Sequence, residues 1–197
     1  MFAPVLYYTA PQGAAYAPDQ LDDSDRTRLQ HAPQLEQRAD WRSSRALKQL
    51  LPQPRPPYSL THKKGHAVLL TGAPIVGVDM EALWPRDFAA LLPWFANQAE
   101  QRWFNAQSDP TLAFYRLWTF KEALLKALHA DFADLPHLTA DIPAPAGMRW
   151  QRYAWLLNRQ WLVSAVLAAP FFLPPPYMAG AMTVQTLPTA WQGCAAR

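Results

Sequence analysis

Cysteine is nearly absent from the sequence, with a single residue, Cys194, among 197. One cysteine excludes an intrachain disulfide framework and any metal site built from several cysteines. The sequence also lacks a run of about 18 uninterrupted apolar residues, which a membrane-spanning helix needs, and its first ten residues do not form the basic and apolar segments of a secretory signal. We therefore expect a cytoplasmic protein that does not interact with a membrane.

Charged residues are sparse as well, at 17% of the chain, with a formal net charge of +3. That charge is modest for a protein that binds duplex nucleic acid, so we expect no nucleic-acid partner. Nine of the 18 lysines and arginines nevertheless lie between Arg26 and Lys64. This concentration is consistent with an anionic ligand or partner, and also with an ordinary solvated basic surface.

Apolar residues make up 50% of the chain, enough to bury a sizeable core. Apolar periodicity and breaker residues predict helices at 22–38, 40–51 and 110–130, and two helical pieces within 83–107 that are broken near Pro93. The same patterns predict strands at 5–9, 66–71, 75–81, 149–157, 161–168 and 181–187. The strands at 66–71 and 75–81 are expected to pair as a hairpin, as are those at 149–157 and 161–168. Because both halves show a helix followed by a hairpin, we expect an α+β fold of two related lobes, residues 1–75 and 76–197.

The helix predicted at 110–130 carries two different faces. Asp109 suits its N-cap and Pro110 its first turn. Trp118, Glu122 and Lys126 recur at intervals of four residues, so they lie along one stripe of the helix. A separate apolar stripe supplies what a core needs, which leaves the polar stripe in need of an explanation.

Two acids on the strand at 75–81 share one face. Asp79 and Glu81 are two residues apart, so they project to the same side while Val78 and Met80 face the other. Like charges at this spacing repel each other, and a bound cation would relieve the repulsion. Oxygen ligands without cysteine or histidine favour Mg²⁺ or Mn²⁺ over zinc. The alternative is a solvated strand edge with two unconnected acids.

The strand Gly77-Val78-Asp79-Met80-Glu81 and the helix motif Trp118-x-x-Lys-Glu-Ala-x-x-Lys126, about 40 residues later, together resemble the phosphopantetheinyl transferases. The chain looks most similar to their larger, surfactin-type branch, in which one chain contains two pseudo-symmetric halves. Further segments of the resemblance follow in the expected order, and it covers most of residues 42–170: Arg45, Arg55-Pro56, Ser59-Leu60-Thr61-His62 and residues 161–169.

The resemblance implies an enzyme that transfers the 4'-phosphopantetheine arm from coenzyme A to a serine of an apo acyl or peptidyl carrier protein, releasing adenosine 3',5'-bisphosphate. It also implies an active site in the cleft between two lobes, each a small antiparallel sheet packed by helices. Coenzyme A is expected to lie across the seam, and the carrier to meet a basic and aromatic surface near the second half. A chain with two fused lobes is expected to be a monomer.

The family's site residues map onto this sequence one by one. Asp79, Glu81 and Glu122 match its magnesium ligands, with Mn²⁺ as an alternative metal. Glu122 matches its general base, and we expect the metal and two nearby lysines to keep it ionised at neutral pH. Lys126 matches the lysine that contacts the phosphates and the leaving group. Trp118 is expected to pack rather than to take part in the chemistry.

The remaining coenzyme A contacts come from the basic segment. His62 matches the histidine that binds the 3'-phosphate, and Arg45 and Arg55 match further contacts to the phosphates or the adenine side. For His62 and Arg45, a purely structural histidine and a surface arginine are the alternatives. The chain departs from the family after the histidine, where Lys63 and Lys64 stand in place of small residues, so either lysine is a candidate for binding the phosphate.

Two other functions are compatible with the same residues. A degenerate relative would hold coenzyme A or a carrier protein without turnover. A metal-dependent nuclease would use the strand acids with the glutamate and lysine of the helix, although the compact acid-x-lysine strand pattern of such enzymes is missing.

Overall fold

The computed structural model describes residues 3–187 and has an α+β fold. Within these residues the chain forms two four-stranded sheets, five α-helices and several short 3-10 helices. No helix in this part of the chain has the length and apolar character needed to cross a membrane. The predicted α+β class is confirmed, whereas the pseudo-symmetry of the lobes and the division at residue 75 remain predictions.

The first sheet contains β1 (Val5–Thr9), β2 (Tyr58–Lys63), β3 (His66–Thr71) and β7 (Tyr177–Ala179). The strand order is β2-β3-β1-β7. β3 pairs antiparallel with both β1 and β2, but β7 pairs parallel with β1. The expectation of a purely antiparallel sheet is therefore wrong here, because a strand near the end of the described chain returns to the edge of the first sheet.

The second sheet contains β4 (Ile75–Ala82), β5 (Arg149–Leu157), β6 (Trp161–Ala169) and β8 (Val184–Thr186). Its order is β4-β6-β5-β8, and every pairing is antiparallel. The hairpin predicted between 149–157 and 161–168 is confirmed. Its turn is the three-residue segment Asn158, Arg159 and Gln160, in which Asn158 and Arg159 have positive φ.

The hairpin predicted between 66–71 and 75–81 is wrong. β3 pairs with β2, while β4 crosses to the second sheet and pairs with β6. The actual hairpin turns at Lys64 and Gly65, which both have positive φ. Gly72 also has positive φ, and an added Cβ there would lie 2.6 Å from the Cα atom of Pro4, so a glycine is required where the chain leaves the first sheet.

The helices are α1 (Asp23–His31), α2 (Ala39–Gln49), α3 (Phe88–Leu91), α4 (Gln98–Asn105) and α5 (Pro110–Leu128). The helix predicted at 22–38 is shorter than expected, because Pro33 starts a separate 3-10 turn. The break predicted near Pro93 is confirmed by a 3-10 turn between α3 and α4.

α5 packs directly against β4, and the two backbones approach closely at one point. A Cβ atom added to Gly77 would lie 1.9 Å from the carbonyl oxygen of Ala123, so only glycine fits. The apolar stripe of α5 is buried, including Phe114, Leu117 and Leu124. The close packing fixes the polar stripe of α5 beside the acids of β4.

Candidate active site

Asp79 of β4 is almost fully buried, with an exposed fraction of 5%. Two donors converge on its Oδ1 atom: Thr61 Oγ1 at 3.0 Å and the Lys126 ammonium at 2.8 Å. Lys126 also donates to the carbonyl oxygen of Val78 at 3.2 Å. Its ammonium therefore joins the last turn of α5 to the middle of β4.

β2 contributes to the site through one face. Its Ser59 hydroxyl accepts a hydrogen bond from the Val78 amide at 3.0 Å, Thr61 donates to Asp79, and the Lys63 ammonium lies 2.8 Å from Glu81. These three side chains alternate along β2, as the pleat of a strand requires. β2 and β4 belong to different sheets, so the site lies where the two sheets meet.

Glu122 on α5 completes an acidic group with the two strand acids. Burial, followed by the charge of Asp79, raises the pKa of Glu122 from 4.5 to about 7, while Lys126 acts in the opposite direction and Glu81 adds a smaller increase. Such a group can accept or give up a proton near pH 7. A bound cation would counter this shift, so the expectation that a metal and two nearby lysines keep Glu122 ionised at neutral pH stays a prediction.

The chemistry of this acidic group fits a hard divalent cation. The second carboxylate oxygen of Asp79, Oδ2, is buried and has no hydrogen-bond partner, and a buried charged oxygen without a partner is costly. Within residues 3–187, however, no group of three or more histidine, cysteine, aspartate or glutamate side chains is arranged so that it would hold a metal ion as it stands. Ammonium groups, from Lys126 at Asp79 and Lys63 at Glu81, neutralise the strand acids instead.

Arg45 lies in a buried ion-pair network rather than on a surface. Its guanidinium contacts Asp25 at 2.9 Å and stacks over the Trp41 ring at 4.0 Å. Lys48 bridges the same aspartate and Asp22, at 2.7 Å from each. The alternative of an exposed surface arginine is therefore wrong, and the network ties α2 to the start of α1.

Arg55 lines a cavity of about 730 Å³. Its guanidinium pairs with Asp22, and its Nε is buried without a hydrogen-bond partner. Ser59 lines the same cavity from β2, and Lys126 and His129 line it from the end of α5. Two of the predicted phosphate contacts, Arg55 and Lys126, therefore share one cavity.

His62 and Lys64 lie apart from the strand acids. His62 is on the opposite face of β2 from Thr61 and Lys63. Loss of solvent lowers the pKa of His62, Asp40 opposes this, and the nearby charges of Arg45 and Lys126 lower it further. Lys64 forms the β2–β3 turn and lies over the Trp84 ring at 5.7 Å. The structure thus brings Lys63 to an acid, and leaves His62 among basic side chains.

A smaller cavity of about 300 Å³ adjoins Glu81 and Lys63. Arg86 lines it, and aromatic side chains form much of its wall, including Trp94, whose exposed fraction is 81%. Trp118 is half-buried and packs edge-on against Phe95 at 5.0 Å, consistent with its predicted packing role. The cavity gives the acidic group an apolar, partly open neighbour.

A third cavity, of about 500 Å³, lies away from the acids. Its walls are almost entirely apolar and include Pro56, Pro57 and Pro74, which also line the cavity of Arg55. No predicted site residue lines it. This cavity is therefore not part of the candidate active site around Asp79.

Part of the chain is similar to known proteins. Residues 75–164, just under half of the chain, match the model of the 4'-phosphopantetheinyl transferase superfamily. The matched segment contains β4 and α5, and with them Asp79, Glu81, Glu122 and Lys126.

A relative supports the same superfamily over a shorter stretch. Over 52 residues the chain is 44% identical to a proposed 4'-phosphopantetheinyl transferase of Haemophilus influenzae. The stretch covers 26% of this chain, and the chain thus spans about a fifth, 22%, of the length of that relative. Both matches show similarity to the 4'-phosphopantetheinyl transferases over part of the chain, and the surfactin-type branch remains a prediction.

Sequence reasoning missed two contacts of the segment that matches the superfamily. The bond from Thr61 to Asp79 and the pairing of Lys63 with Glu81 both come from β2, outside the matched residues. The alternation of Ser59, Thr61 and Lys63 was a usable signal that they share a face. Nothing local, however, indicates that this face meets β4.

Proposed function

We propose that the chain is a magnesium-dependent 4'-phosphopantetheinyl transferase of the surfactin-type branch. One observation carries this proposal: within the segment that matches the superfamily, β4 and α5 bring Asp79, Glu122 and Lys126 together around a buried carboxylate, that of Asp79. A carboxyl group that exchanges protons near neutral pH, beside an ammonium and two further acids, suits phosphoryl transfer to a hydroxyl group.

Asp79, Glu81 and Glu122 would hold the magnesium ion. When bound, the ion would neutralise charge on the pyrophosphate of coenzyme A and offset the repulsion between the three acids. The unpaired Oδ2 of Asp79 supports this assignment, since it is a buried oxygen that needs a positive partner.

Glu122 would take the proton of the carrier serine. The serine oxygen then forms a bond to the phosphorus that carries the pantetheine, and the bond from that phosphorus to the bridging oxygen of the pyrophosphate breaks. The bridging oxygen leaves with adenosine 3',5'-bisphosphate. Lys126, whose ammonium reaches the middle of β4, would stabilise the charge on that leaving group.

The phosphates of coenzyme A would lie in the cavity of about 730 Å³. Arg55 and Lys126 line it, and the buried Nε of Arg55 is a donor without a partner. His62 and Arg45 do not line this cavity, and we propose them as contacts to the 3'-phosphate or the adenine side, with Lys63 and Lys64 as further candidates for contacting the phosphates. Because the Arg45 guanidinium is already paired with Asp25, we expect its effect to be mainly on the position of α2.

The carrier protein would meet the aromatic surface beside Glu81. Trp84 and Trp94 are exposed there, and Arg86 and Lys64 supply positive charge nearby. An acidic helix with the acceptor serine at its start would find both apolar and electrostatic complements on this surface.

The direct test is to incubate the protein with coenzyme A, Mg²⁺ and apo acyl or peptidyl carrier proteins, and to weigh the carriers by mass spectrometry. We expect the mass of one phosphopantetheine arm to be added, and Asp79→Ala and Glu122→Gln to abolish the addition. Glu36→Gln, in the first half of the chain, is the matched control and should remain active.

The outcomes separate the proposal from its alternatives. Binding of coenzyme A or a carrier without any added mass would favour a degenerate binding protein. Cleavage of a nucleic acid that depends on Asp79 would favour a nuclease. Full activity of Asp79→Ala would contradict the assignment of the site even if the enzyme class is right.

A further inference from the structure

The Lys63 ammonium pairs with both carboxylate oxygens of Glu81, a contact that is not expected of a lysine that binds phosphate. The ammonium lies 2.8 Å from Oε1 and 2.8 Å from Oε2 of the carboxylate, so it contacts both oxygens that a metal ion would use. The Glu81 side chain is 17% exposed and that of Lys63 is 39% exposed. The Glu81 carboxylate is therefore largely shielded from solvent, whereas the Lys63 side chain is open to it.

The backbone delivers Lys63 to this position. Lys63 is the last residue of β2, and Lys64 begins the tight turn to β3 with φ of 49°. Strand alternation places Lys63 on the same face as Thr61, which is bonded to Asp79. Two consecutive residues of that face, Thr61 and Lys63, thus contact two consecutive acids of one face of β4.

The other strand acid, Asp79, also pairs with a lysine ammonium group, but through one oxygen only. Lys126 contacts Oδ1 of Asp79 at 2.8 Å, but Oδ2 of that carboxylate has no partner. The acids of β4 are therefore each matched to one lysine, yet one buried oxygen is left over. A divalent cation between these acids would have to share the Glu81 carboxylate with the Lys63 ammonium, which lies against both of its oxygens.

We propose that Lys63 is a tethered counter-ion that competes with the divalent cation for Glu81 and so weakens metal binding at this site. The inference rests on the proposed function, since it assumes that Asp79, Glu81 and Glu122 hold the metal. It pairs the ammonium group of Lys63, next to the β2–β3 turn, with the carboxylate of Glu81 and not with a phosphate of coenzyme A.

The release of Lys63 requires little rearrangement. Its side chain borders both solvent and the cavity of about 300 Å³ that Trp94 and Trp118 line. A flexible lysine stem can move into that space while β2 stays in its sheet. Metal binding would then exchange one partly exposed ion pair for direct coordination.

The test is to measure Mn²⁺ binding to the full chain by electron paramagnetic resonance, with Mg²⁺ displacement as a second measurement. Lys63→Met keeps the apolar stem and removes the competing charge. We expect it to bind Mn²⁺ about threefold to tenfold more tightly, the range expected when an ion pair of this exposure and a nearby positive charge are both removed. Lys63→Arg, which keeps the charge, should bind close to the wild-type level.

Lys64→Met is the matched control, because it removes the same charge one residue away without contacting Glu81. Equal tightening in Lys63→Met and Lys64→Met would overturn the inference, since it would reduce the effect to net charge. Unchanged affinity in Lys63→Met would overturn it as well.

A failure of the proposed metal site looks different. If Mn²⁺ fails to bind wild type and both methionine variants, or binds with the same affinity to Asp79→Asn, then the ligands themselves are wrong and the inference falls with them. Binding that Asp79→Asn abolishes, together with no effect of Lys63→Met, would refute only the competition.

Discussion

Replacing Glu122 by glutamine should change how the stability of the protein depends on pH. Burial, aided by Asp79, raises the pKa of Glu122 from 4.5 to about 7. Below pH 4.5 the carboxyl group is protonated in both folded and unfolded chains. Between 4.5 and about 7 the unfolded chain loses the proton first, so the folded state loses stability as the pH rises, and above about 7 the loss is complete.

The size of the effect follows from the difference between the two pKa values. A change from 4.5 to about 7 corresponds to about 3 kcal/mol. The side chain is partly exposed, and solvent screening reduces the effect to about 2 kcal/mol. Glu122→Gln has no titrating group at this position. The difference between its free energy of unfolding and that of wild type should therefore increase by about 2 kcal/mol, in favour of the variant, from pH 4.5 to pH 7.5.

The assay is urea unfolding at several pH values in the presence of a chelator, which removes divalent cations from both proteins. The difference between wild type and Glu122→Gln isolates this group from the other carboxylates. Asp79→Asn should retain part of the wild-type slope, since Asp79 is the second cause of the raised pKa. Parallel curves for wild type and Glu122→Gln would refute the reasoning, and Glu36→Gln is the control expected to follow wild type.

Three further substitutions test the packing around the site. Gly77→Ala places a Cβ atom 1.9 Å from the Ala123 carbonyl oxygen, so it should cost more than about 2 kcal/mol in urea unfolding and weaken Mn²⁺ binding. Lys121→Met leaves the buried Glu100 carboxylate without its partner at 2.9 Å and should cost about 3 to 5 kcal/mol, while adding Glu100→Gln should recover part of the loss in a double-mutant cycle. Thr61→Val removes the hydrogen bond to Asp79 and should cost about 1 kcal/mol, measured by the same unfolding assay.

Local patterns were sufficient to predict the elements that carry the proposed chemistry. Asp109 caps α5 by accepting from the Leu112 amide, and the apolar stripe of that helix is buried. The alternation along β4 likewise predicted that Asp79 and Glu81 share a face. These features depend on neighbours within about one helical turn or two strand residues, a range that the sequence shows directly.

Contacts between distant segments were not predictable in the same way. β7 pairs with β1 across most of the chain, and its three residues carry no strong strand pattern. The β3–β4 hairpin was predicted from proximity in sequence, but the Lys64–Gly65 turn favours β2 and β3 instead. The contact between Lys63 and Glu81 depends on the second of these facts, because pairing with β3 leaves β2 at the edge of its sheet, where it meets β4.

The acids of the site are close together because α5 is held from several sides. Lys121, one residue before Glu122, is fully buried and bonded to Glu100 and to the Leu135 carbonyl oxygen at 2.6 Å. Thr119 and Ser164 share a hydrogen bond of 2.7 Å between α5 and β6.

These buried contacts keep Glu122 beside Asp79 despite the repulsion between the two carboxylates. Moving α5 away would break the contacts, and losing them would cost more free energy than the repulsion does. The carboxylates of Glu122 and Asp79, which repel each other, therefore lie beside the part of α5 that these contacts hold in place. A catalytic carboxyl group needs the same arrangement, since its pKa is raised only while its neighbours cannot relax away from it.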